Sequence, residues 1–132
     1  MTPGSCLCGS VRYEIDASGG DLGHCHCRMC QTFHGAPFGT YLEVARPAFR
    51  WVSGREWLSG YRSSTNVTRS FCSRCGTPLL FEKDGNDTLD VIAATLDEKP
   101  EARVTYEIWT SSRADWLHTG DSLQSHSTEP ET

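Results

Sequence analysis

Long apolar runs are absent from the sequence. No window approaches the about eighteen consecutive apolar residues of a membrane-spanning helix. Residues 1–10, MTPGSCLCGS, have neither the basic start nor the apolar core of a secretion signal. The expected setting is therefore cytoplasmic, with no membrane partner and with thiols kept reduced. Lysine is nearly missing: two stand against ten arginines. Net charge is −5 and the sequence pI is about 5.4, so the basic face that displaces counterions from nucleic acid is lacking and no nucleic-acid partner is expected. Arginine forks suit carboxylate or phosphate ligands better than lysine does. Nothing repeats at a fixed period and no linker divides the chain, which points to one domain over residues 1–117. Residues 118–132 form a polar, Ser/Thr-rich tail with too little apolar content to order itself. Helix signals are equally scarce, because 12 Gly and 6 Pro interrupt the 132 residues often.

What is present is strand-like. Residues 6–15, CLCGSVRYEI, alternate, with Val11, Tyr13 and Ile15 on one face and Arg12 and Glu14 on the other. Residues 16–23 read as a turn and residues 24–31 as a compact cysteine loop. Residues 33–42 read as a strand with an irregular entry, and residues 49–52 and 57–61 as short aromatic strands joined by a turn. Residues 66–71, 77–82, 88–94 and 104–110 continue the pattern, with DGND at residues 84–87 as a hairpin turn and residues 113–117 as a helical turn. About seven to nine short antiparallel strands and almost no helix make a mainly β fold. A core this small gains much from a structural metal.

Seven cysteines carry the chemistry, in three groups: Cys6/Cys8, Cys25/Cys27/Cys30 and Cys72/Cys75. An odd count in a reducing compartment points to metal or redox chemistry before disulfides. In an extended strand Cys6 and Cys8 share one face with Cα atoms about 6.6 Å apart, and inward-leaning side chains can close to the about 3.8 Å between thiolates on tetrahedral zinc. Cys72-x-x-Cys75 followed by Gly76 is the familiar half of a zinc knuckle, and Cys8 is likewise followed by Gly9. Two such halves make one closed, structural four-thiolate shell, although spacing alone leaves their pairing open. A redox dithiol at Cys72/Cys75 is the competing reading, without the βαβ surroundings such a motif keeps.

Cys25, Cys27 and Cys30 remain, three thiolates without an obvious fourth protein ligand. Three ligands and an open position are the pattern of a catalytic zinc, and a thiolate-rich metal takes a soft thiolate readily. His26 lies between two ligands and should point away; His24 or His34 could close the shell and make it structural instead. A non-catalytic zinc module for a protein partner and an oxidisable thiol switch are the remaining alternatives.

GSCLCGSVRYE, CHCRMCQTFHGAPFGTY and RSFCSRCGTPLLF resemble the three signature blocks of the glutathione-dependent formaldehyde-activating enzyme family, also called the centromere-protein-V-like domain, over about residues 4–117. The resemblance implies an Mss4-like β-tent with two zinc ions per chain. Cys6, Cys8, Cys72 and Cys75 would hold the structural one, and Cys25, Cys27 and Cys30 the catalytic one. It also implies carbon–sulfur lyase chemistry joining glutathione to an aldehyde. Arg28, Arg12 and Arg74 are candidates for the glutathione carboxylates, Arg28 first, and Phe33, Phe38 and Trp57 for the pocket wall. The chain departs from the family at Glu107, where a His-Ile-Phe/Trp run is usual; here it reads Glu107-Ile108-Trp109, followed by Ser112, Arg113 and Trp116.

Overall fold

The alternation at residues 11–15 does what its period requires: Val11, Tyr13 and Ile15 are buried to within 1% of complete while Arg12 faces solvent. In the computed structural model, which describes residues 1–16 and 20–130, this segment is nevertheless not one strand. Strand β1 is Thr2–Ser5 and β2 is Arg12–Ile15. Cys6 to Val11 form the turn between them, closed by the Cys6 N–H on the Val11 carbonyl at 3.1 Å and the Gly9 N–H on the Cys6 carbonyl at 3.0 Å. Cys6-x-Cys8 is thus presented by a turn rather than by a strand face. Part of the expected turn at residues 16–23 falls on residues 17–19, outside the described residues.

Strands β3 (Leu22–Cys25), β4 (Gly39–Ala45), β5 (Phe49–Ser53), β6 (Leu58–Ser64), β7 (Val67–Cys72), β8 (Pro78–Lys83), β9 (Thr88–Ile92) and β10 (Val104–Ile108) complete the set. They form a three-stranded sheet, β1-β2-β5, and a seven-stranded sheet, β10-β3-β4-β9-β8-β7-β6. The chain is mainly β, as its composition and turns require, but three local readings need correction. The cysteine loop continues into a helix, α1, at Arg28–His34. Strands β5 and β6 are joined by a turn, as expected, and enter different sheets, β5 beside β2 and β6 beside β7. Strand β10 lies parallel to β3, whereas the other pairings are antiparallel. The helical turn near the C-terminus sits at Thr110–Ser112, before residue 113. Residues 118–130 carry neither helix nor strand, and no helix among the described residues is long and apolar enough to cross a membrane.

The large sheet has two different faces. On one, Leu42, Val44, Leu80, Leu89 and Val91 pack against Tyr13 and Ile15 of the small sheet in the main core. Each large aliphatic side chain buried there contributes about 1.5–3 kcal/mol. The residues between them point the other way. Tyr41 and Glu43 of β4 lie beside Ile92 and Asp90 of β9, Asp90 beside Phe81 of β8, and Phe81 beside Arg69 of β7. Helix α1 shares this second face, where Cys25, Cys30, Tyr41 and Ile92 form a smaller buried cluster with Cys27 and Phe81 against it.

Candidate metal centres and the cysteine pocket

Turns, not strands, set the first cysteine group. The Cys6 turn and the Cys72–Cys75 turn face each other, with the Leu7 N–H on Thr77 Oγ1 at 3.0 Å and the Cys72 N–H on the Thr77 carbonyl at 3.0 Å. Gly9 and Gly76 follow at φ of 77° and 82°, a left-handed backbone that a side chain would strain. The four sulfurs of Cys6, Cys8, Cys72 and Cys75 lie within 4.8 Å of one another. Cys6 and Cys8 are 3.6 Å apart and Cys8 and Cys72 4.0 Å. These separations are far from a disulfide and bracket the about 3.8 Å edge of a zinc tetrathiolate. Burial takes the Cys72 thiol up to about 11. At Cys75 burial acts the same way, but hydrogen bonds led by the Thr77 hydroxyl outweigh it and bring that thiol down to about 5. The donor set fits a closed four-thiolate metal site that joins the N-terminal turn to the end of β7.

The second group is built by β3 and α1. Cys25 ends β3, Cys27 is the N-cap of α1, and Cys30 lies one turn in. The Cys27 sulfur accepts the Cys30 N–H at 3.3 Å, which takes the place of the usual hydroxyl or carboxylate cap. The three sulfurs also lie within 4.8 Å of one another, and among the described residues no histidine atom joins them. His24 Nδ1 meets Thr40 Oγ1 at 2.8 Å and His34 Nε2 meets the Tyr41 hydroxyl at 3.0 Å. His26 turns away from the sulfurs, its Nε2 2.9 Å from Glu107 Oε1. The other Glu107 oxygen accepts from Arg113 at 2.9 Å. Glu107, where the family pattern has His, therefore works on the side of β10 opposite Ile108, the β10 residue that lines the cysteine pocket.

That pocket has a volume of about 570 Å³ and is lined by Cys25, Cys27 and Cys30 together with Arg69, Phe81 and Asp90. A recess of about 170 Å³ shares Cys25, Cys30, Phe81 and Asp90 and reaches Tyr106. Arg28 lines the pocket and is exposed, its guanidinium on Gln31 Oε1 at 2.6 Å. Arg12 and Arg74 do not line it; Arg74 stacks over Trp57 at 5.3 Å on another part of the surface. Phe33 lines an adjoining groove with Arg28 and Arg69, and Phe38 packs on His24 with ring centroids 4.1 Å apart. Phe81, Asp90 and Arg69 are pocket residues that local sequence does not single out. They come from three separate strands, and only the strand register brings them together.

The electrostatics are uneven. A hydrogen bond from Cys25, reinforced by Tyr41 and Arg69, takes the Cys30 thiol down to about 4 against the effect of burial. The same pairing pushes Cys25 up. A bound divalent cation would deprotonate all three. Asp90 is up at about 6, first because it is desolvated and second because Glu43 stands directly opposite it on β4. A carboxyl raised in the folded state makes stability fall as pH rises from about 4, its unfolded value, to about 6. Asp90→Asn should therefore gain about 1–2 kcal/mol at neutral pH, with solvent screening allowed for, and less near pH 4. Denaturant titrations of both proteins across that range check it; metal loss at low pH is common to the two and cancels in the difference.

Comparison with known proteins agrees with this architecture. Residues 1–112 match the family described as glutathione-dependent formaldehyde-activating enzyme. An uncharacterized lyase of Schizosaccharomyces pombe is 33% identical over 78 residues, which covers 59% of this chain and 55% of that protein, so the match spans about half of the relative's length. A crystal structure of a Rhodobacter sphaeroides protein superposes with a TM-score of 0.65 at 26% identity, covering 78% of this chain and 99% of the other. The chain belongs to the glutathione-dependent formaldehyde-activating enzyme family.

Proposed function

We propose that the protein is a cytoplasmic carbon–sulfur lyase that makes or breaks the adduct of a glutathione-type thiol with an aldehyde, on a metal held by Cys25, Cys27 and Cys30. A second, structural zinc belongs to Cys6, Cys8, Cys72 and Cys75. The observation that carries this reading is the opening of the three-sulfur group onto a 570 Å³ pocket. Bound there, zinc lowers the pKa of a thiol and polarises a carbonyl oxygen. The remaining work falls to side chains.

A glutathione-type thiol brings two carboxylates and one ammonium. Arg28 and Lys83 line the pocket as partners for the carboxylates, and Glu43 for the ammonium. The family membership supports this class of substrate, and the lyase-named relative supports the class of reaction. In the forward direction the thiol sulfur bonds to the carbonyl carbon, the π pair moves onto oxygen, and the proton released by the thiol ends on that oxygen. No oxidant or reductant is needed. Asp90, poised at about 6 within the pocket, carries the proton. Asp90→Asn therefore slows turnover even as it stabilises the fold.

The test is a titration of the cobalt-substituted protein with glutathione. A thiolate entering at the three-cysteine centre adds sulfur-to-cobalt charge-transfer absorption, and an aldehyde then diminishes it as the adduct forms. A protein that carries metal at both sites yet leaves this spectrum unchanged at millimolar glutathione overturns the proposal.

A further inference from the structure

Arg69 is 4% exposed, yet among the described residues it has no carboxylate partner. The ion-paired arginines of the chain, Arg46, Arg50, Arg62 and Arg113, are all considerably more exposed and each has its Glu or Asp. A buried guanidinium without a counter-charge is strongly destabilising. The neighbours of Arg69 are the Ser63 hydroxyl, 2.9 Å from Nε, and the faces of Phe81 and Phe33, whose ring centroids lie 4.9 and 5.7 Å from Cζ. Its other neighbours are the Tyr41 hydroxyl and the Cys30 sulfur, the latter 3.5 Å from a terminal nitrogen. Hydroxyls and rings supply no net negative charge, so the counter-charge is the thiolate group itself. The residue is an arginine for geometric reasons: its planar fork bridges Ser63 and Cys30 while stacking between two rings, which an ammonium cannot do.

We propose that Arg69 is the charge-compensating residue of the cysteine centre and sets its preference for a negatively charged thiolate as fourth ligand. The inference rests on the reading of that centre as open to thiols. Three thiolates around a divalent cation leave one negative charge, and Arg69 cancels it. An incoming thiolate then meets a neutral centre instead of an anion. Without the guanidinium, the thiolate would add to a centre already negative, in a pocket whose wall also carries Glu43 and Asp90. A neutral ligand is indifferent to this charge. The Tyr41 hydroxyl, 3.0 Å from the Cys30 sulfur, is a second polar partner of the same thiolate. Arg69 acts through Cys30 and is a positioning residue, not a catalytic one.

The test compares the cobalt-loaded wild type, Arg69→Gln and Arg69→Lys by titration with glutathione and, separately, with imidazole as a neutral ligand. Both titrations are followed by the cobalt spectrum, with metal content measured in each protein. Expected for Arg69→Gln are two metals per chain, imidazole affinity within a few-fold of wild type and glutathione affinity at least about tenfold lower. Arg69→Lys, which keeps the charge and loses the fork, should hold glutathione within a few-fold of wild type. Equal glutathione binding by Arg69→Gln and wild type overturns the inference and leaves the proposed function standing. If Arg69→Gln does not fold, Arg69→Lys decides: a tenfold loss of glutathione affinity there overturns the charge assignment, and retention supports it. A wild type that binds no glutathione overturns the functional reading and this inference with it.

Discussion

Cys72→Ser should not reach the native fold, and its metal content should fall by at least one ion per chain. Cys72 is completely buried at the end of β7 and belongs to the main core together with Cys6. Serine matches its shape but does not supply a thiolate at neutral pH, so the four-sulfur shell loses a ligand and leaves a hydroxyl in an apolar site. The lost metal dominates. Structural zinc contributes about 10–16 kcal/mol of apparent binding free energy in small zinc domains, against a net stability of about 5–15 kcal/mol for a whole domain. The position of the shell in the fold raises the cost. It ties the turn after β1 to the turn after β7, residues more than sixty positions apart, and so fastens the small sheet to the large one. Cobalt or zinc stoichiometry with far-ultraviolet circular dichroism checks the outcome. A Cys72→Ser protein with a wild-type denaturation midpoint would sink the structural role of this group.

Features that depend on local chemistry were legible in the sequence. The period-two pattern at Val11, Tyr13 and Ile15 named core residues correctly, and Cys72-x-x-Cys75-Gly76 announced a knuckle whose left-handed glycine the structure contains. The three-way grouping of cysteines also held, because two sulfur clusters form from the same three segments. The failures share a cause. Helix α1 has seven residues, too short for its own apolar period to stand out, and its first turn is capped by a cysteine sulfur, which is not among the usual capping groups. The placing of Cys6 and Cys8 on a strand failed because the alternation that identifies β2 extends into the turn before it. Strand β10 alternates clearly, but alternation does not name a partner or a direction, and its parallel pairing with β3 is a tertiary choice. Arg69 was missed for the same reason. Proximity in sequence favoured Arg28, whereas Arg69 lies thirty-nine positions from Cys30 and reaches it only because β7 and α1 meet on one face of the sheet.

Cys27→Ser separates the two cysteine groups and carries the largest expected effect on activity. Cys27 is only partly buried and its structural duty is to cap α1, where its sulfur accepts the Cys30 N–H. Serine is among the preferred residues at that position, so the helix start should survive, with a cost in stability of no more than about 1 kcal/mol from the cap itself. The remaining loss is chemical. Two thiolates and a neutral hydroxyl do not make the three-ligand shell a catalytic zinc requires, and the chain should carry one metal instead of two. Turnover of a thiol–aldehyde adduct should then fall by about a thousandfold or more, because both activation of the thiol and polarisation of the carbonyl depend on that ion. Metal analysis, circular dichroism and a single-turnover assay on the same preparation check the three parts together. A folded Cys27→Ser protein that holds two metals and keeps its activity would require a fourth protein ligand at the centre. The open position, and with it the case for a thiol substrate, would then be lost.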